Sequence, residues 1–191
     1  MIFRRITGYG SNAWTVALMT LVMVLWVAVA DAGVKEDLVS AARRSDLPEV
    51  ERILAKGGNI NAATSNGTTI LMIASLNGHT EMVGVLLANG AEVNAKMKNG
   101  ATAIMLASLN GHVEIVKMLL AKGAKAAAKM NNGSTPLILA SQNGHADVVR
   151  LLLARGVNVN VKRNDGATAL MLAFQNGHNE VCELLTKAGA K

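Results

Sequence analysis

The sequence predicts an all-α repeat solenoid: stacked helix-turn-helix units with β-hairpin tips, preceded by an N-terminal signal helix. Three observations lead there. Residue types recur in one register every 33 positions: Gly67, Gly100, Gly133 and Gly166; Thr69, Thr102, Thr135 and Thr168; Ala74, Ala107, Ala140 and Ala173. Such a period marks stacked supersecondary units. Apolar residues make up 51% of the 191-residue chain but aromatic residues only 3%. That suits small helices in close contact and suits a β-sandwich poorly. The first 30 residues are different in kind from the rest.

Those 30 residues begin with Arg4 and Arg5, run through an apolar stretch from Ala13 to Ala30, and end Ala28-Val29-Ala30 before Asp31. A basic start, an apolar middle and an A-x-A end describe a secretory signal peptide. Cleavage is expected after Ala30, placing residues 31–191 in the periplasm or outside the cell. The rival expectation is an uncleaved membrane anchor, for which ~18 apolar residues are at the short end. Either way Arg4 and Arg5 hold the N-terminus cytoplasmic. No Cys follows the apolar run, which argues against a lipoprotein anchor, and the single cysteine, Cys182, excludes an internal disulfide. The net charge of +6 falls to +4 without Arg4 and Arg5. That is too mild and too spread out to point to nucleic acid.

The repeat domain divides into a degenerate first unit, 33–65, then 66–98, 99–131, 132–164 and a truncated last unit, 165–191. In 66–98, Asn66-Gly67 is a turn signal. Thr69 suits a helix N-cap, and Pro136 follows the equivalent Thr135 where proline is tolerated. The first helix presents Leu71, Met72, Ala74 and Ser75; Asn77-Gly78 ends it. The second begins near Thr80, with Glu81 in its first turn, matched by Glu114, Asp147 and Glu180. An acidic residue there complements the helix dipole by about 0.3–1 kcal/mol. Met82, Val83, Val85, Leu86 and Leu87 form its apolar face, and Gly90 supplies a left-handed close. Helices this short are marginal alone, since isolated ones below about 12–15 residues rarely hold in water; stacking must stabilise them.

The first unit has Ala41-Ala42 but lacks the opening turn, and Ser45, Asp46 and Pro48 mark its second helix. The last unit stops at Lys191 before a hairpin; both are expected of end caps. Two weak points are expected. Gly84 stands mid-helix, at a cost of about 1 kcal/mol. Ala126-Ala127 replaces Val93-Asn94, which should make that hairpin the loosest.

The segment Gly133-Ser134-Thr135-Pro136-Leu137-Ile138-Leu139-Ala140-Ser141-Gln142-Asn143-Gly144-His145 resembles the ankyrin repeat, and the resemblance spans Lys35 to Lys191. The motif proline appears only at Pro136, and the motif histidine is replaced by Met72, Met105, Ile138 and Met171. The resemblance implies a protein-binding module whose hairpin tips and first helices form a concave face. Carried over position by position, the partner-binding candidates are Lys96, Met97, Lys98, Lys129, Met130, Asn131, Lys162 and Arg163 at the tips, and Leu76, Leu109, Gln142 and Gln175 at the helix ends. Lys96, Lys129 and Lys162 share a register, so an acidic protein partner with some apolar contact is expected, bound by a monomer.

Neither an enzyme nor a cofactor or small-molecule site is expected. His79, His112, His145 and His178 recur once per unit. Stacked helices sit about 8–10 Å apart, while zinc needs ligand atoms about 2 Å from one ion. Each histidine is therefore expected to pack and hydrogen-bond at its own inter-helix turn. Cys182 falls in the register of Val83, Val116 and Val149, a core position, and Met97 and Met130 stand out as exposed methionines. The expected role is exported protein binding that modulates or protects an exported enzyme. The alternatives are a membrane-tethered scaffold and a host-directed secreted effector.

Overall fold

The computed structural model describes residues 33–191; the expected signal segment, residues 1–30, and its cleavage point lie outside the described residues. Helix α1 covers 33–43. It is followed by α2 (Leu47–Ala55), α3 (Ile70–Asn77), α4 (Thr80–Ala88), α5 (Ala103–Leu109), α6 (Val113–Ala121), α7 (Pro136–Gln142), α8 (Ala146–Leu153), α9 (Ala169–Gln175) and α10 (Asn179–Lys187). From α3 onward each odd helix packs on the even helix after it. From α3 onward, odd helices pack on the next odd helix and even helices on the next even one. The result is a layered stack with nearest-neighbour contacts, an all-α solenoid. None of the helices described is long and apolar enough to cross a membrane.

Local sequence sets the helix ends. Thr69, Thr135 and Thr168 cap α3, α7 and α9, each hydroxyl accepting from the amide three residues on at 3.3 Å. Thr102, in the same register, makes no cap bond, and its buried hydroxyl has no partner. Asp46 caps α2 by accepting from the Glu49 amide at 3.1 Å. The even helices α4, α6, α8 and α10 carry Glu81, Glu114, Asp147 and Glu180 in their first turns. Their N-cap histidines make no side-chain cap bond.

One aliphatic core runs the length of the stack, from Leu38 to Leu185. Ala74, Ala107, Ala140 and Ala173 are fully buried where the helices meet, so backbones approach closely. Each fully buried Leu or Ile contributes about 1.5–3 kcal/mol relative to exposure. Gly84 is half-buried inside α4, and a Cβ there would meet only the flexible end of Met118 at 3.3 Å.

Two expectations need correcting. The tips are not β-hairpins: no regular strand forms among the described residues, and only isolated bridges join Ala63 to Thr69 and Lys162 to Thr168. Each tip is a single tight turn, as in Met97 N–H donating to Ala101 O and Gly100 N–H to Met97 O, both 2.9 Å. Its remaining amide turns to the preceding tip: Lys98 N–H to Asn66 O, Asn131 N–H to Asn99 O, Asn164 N–H to Asn132 O. Cys182 is half-buried, whereas Val83, Val116 and Val149 are fully buried, because no described unit follows the last pair. In the same last unit Met171 is 50% and Phe174 78% exposed.

Candidate partner-binding surface

Three of the four periodic histidines do not serve their own turns. His112 Nε2 lies 3.1 Å from Leu76 O, His145 Nε2 2.9 Å from Leu109 O, and His178 Nε2 3.1 Å from Gln142 O. Each ring reaches the last turn of the odd helix in the preceding unit. A carbonyl only accepts, so the ring nitrogen facing it carries the proton. Asn110 and Asn176 Nδ2 donate to the same carbonyls, of Leu76 and Gln142, at 2.7 and 3.0 Å. The recurring Gly-His pair thus has an inter-unit cause. A Cβ on Gly111 would lie 2.5 Å from the His145 ring, and one on Gly78 2.7 Å from the His112 ring. The expectation that each His stays at its own turn fails for His112, His145 and His178 because the partner carbonyl is supplied by stacking.

Two further ladders tie the units. Asn131 Nδ2 donates to Lys98 O and Asn164 Nδ2 to Asn131 O, both at 2.9 Å, along the tips. Beyond the even helices, Asn61 Oδ1 accepts from Glu92 N–H at 2.7 Å. Asn94 accepts from Lys125 N–H and donates to Gly123 O, both at 3.0 Å. Asn160 accepts from Lys191 N–H at 2.9 Å and donates to Gly189 O at 3.1 Å. Ala127 occupies this register between Asn94 and Asn160, so the rung from the third unit to the fourth is missing. The Asn61–Asn94–Asn160 spacing is the sequence signal for this ladder, and Ala127 in place of Asn, expected above to loosen a hairpin, marks its missing rung.

On this frame, Lys96, Lys129 and Lys162 are exposed, one per tip, and Lys98 is exposed beside Lys96. Main-chain bonds between successive tips fix their spacing. The other candidates are placed differently. Met97 and Met130 are half-buried rather than exposed, and Met97 packs against the core. Asn131 spends its amide on the tip ladder. Arg163 is turned to Asp165, its Nε donating to both carboxylate oxygens at 2.9 Å. Asp165, with Arg163 beside it and the Ala167 amide donating to it, titrates at about 2, below its ordinary value. Positive charge is therefore least compensated at Lys96 and Lys98 and partly neutralised at the fourth unit's tip. Leu76, Leu109 and Gln142 are half-buried, and their carbonyls are the histidine acceptors; Gln175 is exposed.

Depressions between units are open; one is lined by His145, Asp147 and Glu180. Among the described residues no three His, Cys, Asp or Glu side chains cluster as a metal site. What the geometry offers is an extended, rigidly spaced surface, the hallmark of a repeat scaffold that binds other proteins. The family model described as ankyrin repeats (3 copies) matches residues 38–130 and 125–191. The chain belongs to the ankyrin-repeat family and is a protein–protein interaction module. It is also 34% identical over 77 residues to the mitochondrial disaggregase of Bos taurus, a match covering 40% of this chain and 11% of that protein.

Proposed function

We propose that this chain is a non-catalytic, exported module that holds an acidic protein on its tip-bearing face. The observation that carries this reading is the exposed Lys96–Lys129–Lys162 row, set at repeat spacing by tips bonded to one another through their main chains. Evenly stepped cations complement a carboxylate-rich surface of similar repeat, and such complementarity favours encounter and register. Rings are nearly absent from the face, and aromatic anchors dominate tight interfaces. Affinity therefore rests on charge and falls with salt.

Export rests on the Arg4-Arg5, Ala13–Ala30 and Ala28-Val29-Ala30 pattern. Asp31 as the first residue of the mature protein is the outcome that supports it. Retention of Met1 supports the membrane-tethered scaffold instead. For the binding face, the test is capture of partners by the wild-type chain and by the triple variant K96E/K129E/K162E, with circular dichroism to check folding. The proposal expects an acidic protein bound by the wild type, lost from the folded triple variant, and released as ionic strength rises. Equal capture by both chains, or binding indifferent to salt, overturns it.

A further inference from the structure

The two ends of the stack are built differently. In the interior units, the register that faces the next unit holds Ser75, Ser108 and Ser141, all fully buried, and Met72, Met105 and Ile138, at most 1% exposed. In the last unit the same register holds Phe174 and Met171, 78% and 50% exposed. Leu170 is half-buried where Leu71, Ile104 and Leu137 are buried, and Cys182 is half-buried where three valines are fully so. Among the described residues Met171 and Phe174 are the large exposed hydrophobic residues apart from Val34 at 39%, and they stand three positions apart on α9, one turn from each other. Solubility favours a polar face at a stack end. The first unit has one: Glu36 and Asp37 are exposed in the register where Thr69 and Ile70 are buried.

We infer that the α9 end face is a self-association surface, where two copies of this chain meet tail to tail about a two-fold axis. Charge decides among occupants. Helix α9, ALMLAFQ, has no ionisable side chain. The rim beside it carries Glu183 and Lys187, one of each sign, 3.7 Å apart. Two such faces meet without like-charge repulsion, and the rotation sets Glu183 of one copy beside Lys187 of the other. Head-to-tail stacking would instead bury Glu36 and Asp37 of one copy against an uncharged helix, leaving carboxylates desolvated without partners. An acidic partner would meet no cation on α9, and the one on the rim, Lys187, already sits beside Glu183. A two-fold contact is self-complementary and closes at two copies, whereas a head-to-tail contact would grow into filaments. Phe174 stacks on its symmetry mate at the centre, an arrangement aromatic pairs favour. This inference does not depend on the lysine row.

The test compares the full chain with F174S, which restores the residue that the interior units hold at this register. Because Phe174 is exposed, the variant is expected to fold as the wild type does. Light scattering across a concentration series is expected to give a dimer mass for the wild type. F174S is expected to raise the dissociation constant on the order of a hundredfold, since the change enters the interface twice. M171Q provides a second variant in the same direction, and K96E/K129E/K162E is expected to dimerise as the wild type does. A short bismaleimide is expected to couple Cys182 to Cys182 in the wild type and not in F174S. A wild-type chain monomeric at every concentration overturns the inference, as does a dimer equally strong in F174S and M171Q.

Discussion

Replacing Ala127 with Asn tests whether lateral rungs between units hold this stack together. Asn94 shows what the residue would gain: one amide donated to it and one carbonyl accepting from it, both at 3.0 Å. Asn160 repeats the pair at 2.9 and 3.1 Å. In A127N the expected partners are the Asn158 amide and the Gly156 carbonyl, which hold the corresponding positions one unit on. Each bond contributes about 0.5–1.5 kcal/mol net. The groups at this register are exposed or half-buried and an Asn side chain must be ordered, so the low end applies. The expected gain is about 1 kcal/mol, or about 2–4 °C in melting temperature for a domain of this size. N94A, which removes two existing bonds, is expected to lose about 1–2 kcal/mol. Urea unfolding gives both numbers through the midpoint at constant slope, and hydrogen exchange at Asn158 reports the new bond directly. If A127N and N94A both leave the midpoint unmoved, the rungs are ornamental and the reasoning fails.

Other substitutions have signs set by what each side chain meets. Ser75, Ser108 and Ser141 bury hydroxyls with no partner. Each Ser→Ala change is expected to leave stability equal or raise it by about 1 kcal/mol in denaturant titration, because an unsatisfied buried polar group is removed. Gly111→Ala and Gly177→Ala share positive φ values of 73° and 74°, but only the first drives a Cβ into a histidine ring. Unfolding curves are expected to show about 1–2 kcal/mol lost in G177A, from the left-handed backbone alone, and a clearly larger loss in G111A. The Asp165 carboxyl titrates at about 2 beside Arg163. Its folded value is depressed, so the pair's contribution is present at neutral pH and is lost as pH falls from the unfolded value near 3.8 toward 2. NMR titration is expected to find the Asp165 value raised toward the ordinary one in R163A, with the Ala167 amide still holding it below.

Much of the fold was written in the period. Thr69, Thr135 and Thr168 cap helices, and Ala74, Ala107 and Ala140 sit at the closest contacts, because both depend on local chemistry repeated every unit. What escaped depends on the neighbour. Which carbonyl His145 reaches, or that Asn131 ties one tip to another, follows from the offset between units, which the 33-residue spacing alone does not determine. The site was legible as a register and not as an environment. The lysines stand where the period put them, exposed, while Met97 is drawn toward the core and Arg163 toward Asp165, an acid two positions on where the earlier tips hold Asn66, Asn99 and Asn132. Phe174 departed visibly from the serines of its register, but its meaning required knowing that the register faces the next unit.

The central claim is that a partner is read by one face, the lysine-bearing tips. Amine-reactive cross-linking of a captured complex, followed by mass spectrometry, tests it most directly, because exposed lysines also lie elsewhere, at Lys117 on α6 and Lys122 just after it. Cross-links to the partner from Lys96, Lys129 and Lys162, with Lys117 and Lys122 left free, are the expected result. Cross-links concentrated on Lys117 and Lys122 with the tips untouched would contradict it.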